Sequence, residues 1–267
     1  MEAVDSYFID NSKIKDVKEL KDDNVSGKTI YEVLRIIQGK PLFLENHLSR
    51  MENSFKLINL EYCLDVYKIK RDIQNLVKAN DKLEGNIKIT YNVKEMILRI
   101  FFIKHSYPSD DMYKNGVKTI LYFGERENPN AKIVNLDFRE KVNKKIKENH
   151  TYEAILVDRN GYITEGSKSN IFMLKDNILL TSPIKAVLPG ITRGEIIDLA
   201  IENGIKVQEI NYKYSDIDKL DGMFISGTSP KILPINQVDS IKIPNNEIIS
   251  KLIKYYNDKI NNYIKSN

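Results

Sequence analysis

Asn130-Ala131-Lys132-Ile133-Val134-Asn135 sets a lysine among small and branched apolar residues. Directly before it runs Gly124-Glu125-Arg126-Glu127-Asn128-Pro129-Asn130, a polar stretch without periodicity that carries a helix-breaking proline. That stretch reads as a linker over 124–130, with an N-terminal domain over 1–123 and a C-terminal domain over 131–267. Downstream of the lysine stand Thr164-Glu165-Gly166, Pro189-Gly190-Ile191-Thr192-Arg193 and Ser226-Gly227-Thr228. These supply an amine, a carboxylate and two places where backbone N–H groups gather around an anion. In this order they are the parts that pyridoxal phosphate needs. The amine holds the aldehyde as a Schiff base, the carboxylate keeps the pyridinium nitrogen protonated, and the two loops hold the phosphate.

Outward from that stretch the pattern is mixed. Tyr7 to Asn11 and Thr29 to Ile37 are rich in β-branched and aromatic residues, and Gln38-Gly39-Lys40-Pro41 supplies a turn before Leu42-Phe43-Leu44, which together predict a hairpin. Leu48, Met51, Phe55 and Ile58 recur at helical spacing, as do Ile69, Ile73, Leu76 and Val77. Strands are expected over 87–91, 96–103 and 117–123, giving the first domain an α+β character. Beyond the linker, a helix to about residue 149 leads into a strand meander over 153–157, 162–164, 170–174 and 178–181. A helix over 194–203 stops at Gly204, a strand over 223–226 follows, and a last helix carries Ile248, Ile249, Leu252, Ile253, Tyr256 and Ile260 on one face.

Composition narrows the function classes. Lys and Arg number 41 against 37 Asp and Glu, so the net charge of +4 is a slight excess spread along the chain and not the basic patch of a nucleic-acid binder. Three histidines far apart and a single cysteine, Cys63, form no metal-ligand spacing and no internal disulfide. The N-terminus has no basic start with an apolar run behind it, and no segment has the roughly 18–20 apolar residues that span a membrane. The expectation is a cytoplasmic, metal-independent protein.

Each candidate has a plain structural reading beside the chemical one. Ala131, Ile133 and Val134 offer Lys132 the desolvated setting that a nucleophilic amine requires. Glu165 reads either as an exposed turn residue or as the partner of a pyridine nitrogen. Thr192-Arg193-Gly194-Glu195 has the pattern of a capping box, which would make Thr192 the cap of a helix whose N-terminus also suits a phosphate. Arg50 lies off the apolar face of its helix, a solvated arginine or a bidentate phosphate ligand.

Further motifs carry a family resemblance over nearly the whole length: Tyr31-Glu32-Val33-Leu34-Arg35, Gly39-Lys40-Pro41, His47-Leu48-Ser49-Arg50, Lys132-Ile133-Val134-Asn135, Tyr152-Glu153-Ala154-Ile155-Leu156, Ser169-Asn170-Ile171-Phe172 and Leu188-Pro189-Gly190-Ile191-Thr192-Arg193. The chain resembles the fold type IV (class IV) pyridoxal-phosphate aminotransferases, the family of branched-chain and D-amino acid aminotransferases and aminodeoxychorismate lyases. The resemblance implies an α/β protein of two domains, a small α+β N-terminal one and a larger barrel-like C-terminal one. It implies a homodimer sharing its active site, acting on an amino acid and a 2-oxo acid. Position by position it makes Lys132 the Schiff-base lysine and Glu165 the ligand of the pyridine nitrogen. Arg50, Ile191, Thr192 and Thr228 would hold the phosphate, Leu188 would pack on the ring, and Tyr31 would line the substrate side.

Within the family, Asn135-Leu136 after the lysine is nearer the D-amino acid aminotransferase and lyase pattern than the Gly-Gly-Asn-Tyr type of the branched-chain group. Ile103 to Pro108 replaces a Gly/Arg-rich substrate loop, leaving Arg99, Lys104 and His105 as candidate cations for a substrate carboxylate. Transamination is the leading expectation, on Ser226-Gly227-Thr228-Ser229. An aminodeoxychorismate lyase, releasing pyruvate and 4-aminobenzoate, is the alternative enzyme, and a non-catalytic cofactor- or partner-binding relative is the alternative of another class.

Overall fold

The computed structural model describes residues 3–20, 29–126, 129–133 and 136–266. Glu127, Asn128, Val134 and Asn135, and with them the Asn135-Leu136 pattern, lie outside the described residues. The chain divides into two compact units: Met1–Ser106 with Ala131–Val134 and Ile260–Asn267, and Tyr107–Asn130 with Asn135–Lys259.

The first unit is built on an antiparallel sheet of strands β1 (Tyr7–Asp10), β2 (Lys13–Asp16), β3 (Thr29–Ile37), β4 (Lys40–Pro41), β5 (Gly85–Asn92) and β6 (Ile97–Ile103), in the order β2-β1-β6-β5-β3-β4. Alternation sorts the central strands: Ile30, Leu34 and Ile36 of β3 and Ile87, Ile89 and Tyr91 of β5 join one core with Leu44, Leu48, Met51 and Phe55 of helix α1 (Leu44–Lys56) and Ile69, Ile73 and Leu76 of α2 (Val66–Ala79). Both helices follow the expected apolar spacing. The hairpin forms, but its second arm is only β4. Gln38 and Gly39 take the tight turn at φ +51° and +77°, and Leu42-Phe43-Leu44 is not a strand. Phe43, at φ +53°, turns the chain into α1, which is how this apolar run is buried.

The second unit adds α3 (Asp110–Asn115), β7 (Val117–Phe123), α4 (Leu136–Glu148), β8 (Glu153–Val157), β9 (Ile163–Gly166), β10 (Asn170–Lys175), β11 (Ile178–Thr181), α5 (Ile191–Glu202), β12 (Val207–Glu209), β13 (Gly222–Gly227), β14 (Lys231–Val238), β15 (Ile241–Lys242) and the part of α6 (Glu247–Ser266) up to Lys259. Its sheet runs β12-β11-β10-β13-β14-β7-β8-β9, with β15 on β14, and β9 returns to pair with β10. The strands therefore close a barrel around Ile155, Ile171, Met173, Met223, Ile225, Leu233 and Ile235. The expected boundary at 124–130 differs from this division. β7 was assigned to the first domain, yet it runs parallel between β14 and β8 as an integral barrel strand, so the second unit begins at Tyr107. Ala131–Val134, assigned to the C-terminal domain, groups with the first unit.

A charged cluster lies within the first core. Glu32, 0% exposed on β3, receives Arg50 Nε at 2.8 Å and Arg50 Nη2 at 2.5 Å, and His47 Nδ1 stands 2.8 Å from its second oxygen. Burial alone would raise the carboxyl, but the Arg50 charge and hydrogen bonds, with those of His47, hold it down at about 2. Burial also pushes His47 below its ordinary 6.5, so the neutral ring donates Nδ1–H to Glu32.

Both shifts are depressions, so the stabilisation they carry is present above the ordinary values of 6.5 and 4.5 and is lost as pH falls towards the folded-state values. Urea midpoints should therefore fall steadily as pH drops below about 6.5. Glu32→Gln should lower stability at neutral pH by about 3–5 kcal/mol, because Arg50 is left buried without its carboxylate, and should flatten the acid end of the profile. An unchanged urea midpoint in the variant would remove the cluster from the stability of this unit.

Candidate active site

In the first unit, the segment bearing Lys132 is added to the edge of β3. Tyr31 N donates to Lys132 O at 3.2 Å, Ile30 and Ile133 form an antiparallel bridge, and Lys132 N donates to Ser54 Oγ at 3.4 Å. Ser54 in turn donates to Arg50 O, so the backbones of Lys132 and Arg50 are linked through one buried hydroxyl. Ala131 is buried and Ile133 packs on the core, as the apolar flanks of the lysine require. The Lys132 Nζ lies over the Tyr31 ring at 4.9 Å from its centroid.

The face of the sheet turned away from α1 carries polar residues. Register places Tyr31 opposite Thr90, and Thr90 opposite Arg99, so the three share that face. Lys88, 6% exposed, reaches the same Tyr31 ring at 5.0 Å, a buried cation beside the candidate amine that the sequence reading did not single out. Its alternation with Ile87 and Ile89 was the available signal. Arg99 is 4% exposed and pairs with Glu95 at 3.6 Å, while its Nε and Nη1 find no acceptor among the described residues. Lys104 and His105 lie beyond the end of β6. Lys104 is exposed, and His105 Nδ1 sits 3.4 Å from Ile103 O, so neither joins the row of Tyr31, Thr90 and Arg99. Arg50 is no solvated arginine: it is buried and bidentate on Glu32.

In the second unit Glu165 owes its direction to an irregularity in β9. Gly166 pairs with Ile155 and Ile163 with Val157, so β9 spends three residue steps where β8 spends two. The extra residue lets Ile163 join the barrel core while Glu165, two positions on, points with its cross-strand partner Asn170 to the opposite face. Glu165 is 3% exposed, not an exposed turn residue. Its Oε1 accepts from Arg126 Nη1 at 2.9 Å and its Oε2 from Leu188 N at 2.9 Å. Asn170 Nδ2 donates to Leu188 O at 2.9 Å, so the two side chains grip one peptide unit from both ends. A Cβ on Gly190 would come within 2.0 Å of Asn170 Oδ1, which requires glycine there. Arg126 and Asn170 were both overlooked as site residues, Arg126 because it sits in a stretch that reads as linker.

Helix α5 begins at Ile191, with Gly190 as its N-cap and no side chain capping it. Thr192 is therefore within the first turn and is not the cap, in contrast to the capping-box reading. It is 6% exposed, with Tyr256 Oη of α6 at 3.5 Å from its Oγ1. Ile191 is half-buried, as is Thr228, which follows the end of β13. Beside Thr228, Ser226 Oγ is fully buried and has no hydrogen-bond partner among the described residues. Also among the described residues, no three His, Cys, Asp or Glu side chains group as a metal site, and no helix is long and apolar enough to cross a membrane.

The model of the family described as amino-transferase class IV matches residues 29–238, from the first residue of β3 to the last of β14. The D-alanine aminotransferase of Bacillus licheniformis is 27% identical over 231 residues, 80% of either chain. The branched-chain-amino-acid aminotransferase of Pseudomonas aeruginosa is 26% identical over 269 residues, covering 88% of this chain and 84% of its own. The crystal structure of the Escherichia coli branched-chain amino acid aminotransferase shares the fold, with a TM-score of 0.84 at 23% identity over 94% of this chain and 93% of that one. A small N-terminal α/β unit and a larger C-terminal barrel-like sheet are the fold type IV architecture, and this chain is an enzyme that belongs to the class IV aminotransferase family.

Proposed function

We propose that the chain is a pyridoxal-phosphate-dependent aminotransferase that moves an amino group between an amino acid and a 2-oxo acid, with Lys132 as its catalytic amine. The observation that carries this reading is the seat of Lys132. A backbone bond to Tyr31, a second to Ser54 and the ring beneath its Nζ hold one lysine among 41 basic residues in a fixed, apolar-flanked place. The Lys88 cation on the same ring adds the kind of neighbour that favours a nucleophilic amine.

The residues present fit this cofactor. Ser226 Oγ is a buried donor in want of an acceptor, next to the Gly227-Thr228 backbone, and α5 begins without a side-chain cap. Both suit a phosphate, which Ile191, Thr192 and Thr228 would hold, whereas the Arg50 fork expected there is engaged by Glu32. Pyridoxal phosphate, when bound, supplies an aldehyde that takes up the amino group and a ring that accepts the electrons released with the α-proton. Glu165 would keep the ring nitrogen protonated. Its carboxylate, which accepts from Arg126 and Leu188 N, would accept the ring N–H as well. Leu188, gripped by Glu165 and Asn170, would pack on the ring. Lys132 would hold the aldehyde and carry the proton between the substrate α-carbon and the cofactor. Tyr31 and Arg99, on one sheet face, would receive the substrate and its carboxylate.

Lys132→Ala should abolish turnover and the visible band of the bound cofactor while leaving the fold intact by circular dichroism; a fully active variant would refute the assignment. Glu165→Ala should retain cofactor through the phosphate contacts yet lose most of its rate, by about 100-fold or more. Amino donors supplied without an acceptor should convert the enzyme-bound cofactor to its aminated form. Release of 4-aminobenzoate from aminodeoxychorismate with no such conversion would mark the enzyme as a lyase instead.

A further inference from the structure

Glu153 opens β8 and, two residues before the core residue Ile155, points to the barrel interior at one end. It is 5% exposed. Its carboxylate accepts from five donors: Ala154 N at 2.9 Å, Ser167 N at 3.2 Å, Ser167 Oγ at 2.5 Å, Lys168 N at 3.3 Å and Ser169 Oγ at 3.1 Å. Four of these belong to the turn between β9 and β10. That turn is drawn tightly over the carboxylate. Gly166 N donates to Ser169 O and Ser167 N to Ala154 O, and a Cβ on Gly166 would fall 2.1 Å from Ser169 Oγ and 3.3 Å from the Glu153 carboxyl carbon.

A buried carboxylate is costly, and an apolar side chain would fill the end of a barrel without that cost. What the carboxylate provides is direction. The turn it holds joins Glu165 to Asn170, which close the barrel as cross-strand partners and together grip Leu188. We propose that Glu153 is a positioning residue for the aminotransferase reaction: by fixing residues 167–169 it sets where the Glu165 carboxylate and the Leu188 peptide meet the cofactor ring. This inference rests on the reading of Glu165 as the partner of the ring nitrogen. A displacement of about 1 Å at such a position is enough to cost roughly 100-fold in rate.

The test compares the wild-type holoenzyme with Glu153→Gln, which keeps the shape but turns an amide NH2 towards N–H and O–H donors, and with the double variant Ser167→Ala/Ser169→Ala, which removes two donors and leaves the carboxylate. Thermal unfolding, cofactor affinity, kcat and KM for the donor, and the pH dependence of the bound cofactor's visible band are measured together. Glu153→Gln is expected to lower kcat by about 10- to 100-fold with little change in KM, and to move the pH dependence of the band in the same direction as Glu165→Ala. The double variant should move both in the same sense by less. A folded Glu153→Gln enzyme with wild-type kcat and spectrum, set against a Glu165→Ala enzyme that has lost both, overturns the positioning role alone. A Glu165→Ala enzyme with wild-type kcat and spectrum overturns the reading of Glu165 and this inference with it. Should Glu153→Gln fail to fold, the double serine variant decides: a wild-type spectrum and kcat there overturn the role.

Discussion

The pairing of Glu165 with Asn170 is the constraint on which the second unit depends. It is the point at which β9 returns to β10 and an open sheet becomes a closed barrel. Closure removes the exposed strand edges that a sheet of this size would otherwise present at this seam. It also sets the two side chains of the pair on the outer face, where they hold Leu188 and thereby the approach of the chain to α5. One backbone contact thus serves stability and the site together. The bulge in β9 makes this possible, since without the extra residue either Ile163 or Glu165 would face the wrong side.

The first unit solves a different problem, the burial of charge. Glu32 lies in the apolar core under α1, while Lys88 and Arg99 lie on the opposite face. On the core side the charge is compensated within the unit, by the fork of Arg50 and by neutral His47. On the other face Lys88 and Lys132 both stand over the Tyr31 ring. One sheet thus separates an ionic cluster compensated within the core from a face that carries buried cations.

Much of this was legible from residue pattern. The helical spacing of Leu48, Met51 and Phe55 and the alternation along Thr29 to Ile37 carry strong periodic signals, because each element buries one continuous stripe. Lys132 and Glu165 stand out in the sequence as candidates through their apolar and glycine-containing surroundings, and the structure sets the first over Tyr31 and buries the second. What escaped has physical reasons. β7 reads as a strand, but its sheet is decided by parallel partners at β8 and β14, contacts that no local pattern encodes. The β9 bulge is a register property of two strands at once. Leu42-Phe43-Leu44 is apolar because it enters a helix beneath a sheet, and a run of three residues has no period to tell helix from strand. Thr192 matched a capping pattern, yet the cap lies two residues earlier, at Gly190, set against Asn170. Arg126 was hidden by its polar neighbours: a half-buried residue held by tertiary pairing looks like linker when read along the chain.

The return of Ala131–Val134 to β3 bears on the order of assembly. Tyr31 and Lys132 are neighbours separated by roughly a hundred residues of chain, and closing so long a loop costs conformational entropy before the contact returns any. The strands of the first unit's sheet all lie within residues 7–103, and with α1 and α2 they supply most of the core without the returning segment. Ala131 and Ile133 add to a core that the sheet and helices of the first unit already largely supply. During synthesis the sheet emerges well before its lysine. The pairing of Tyr31 with Lys132 thus waits on residues synthesised after every strand of the first unit's sheet.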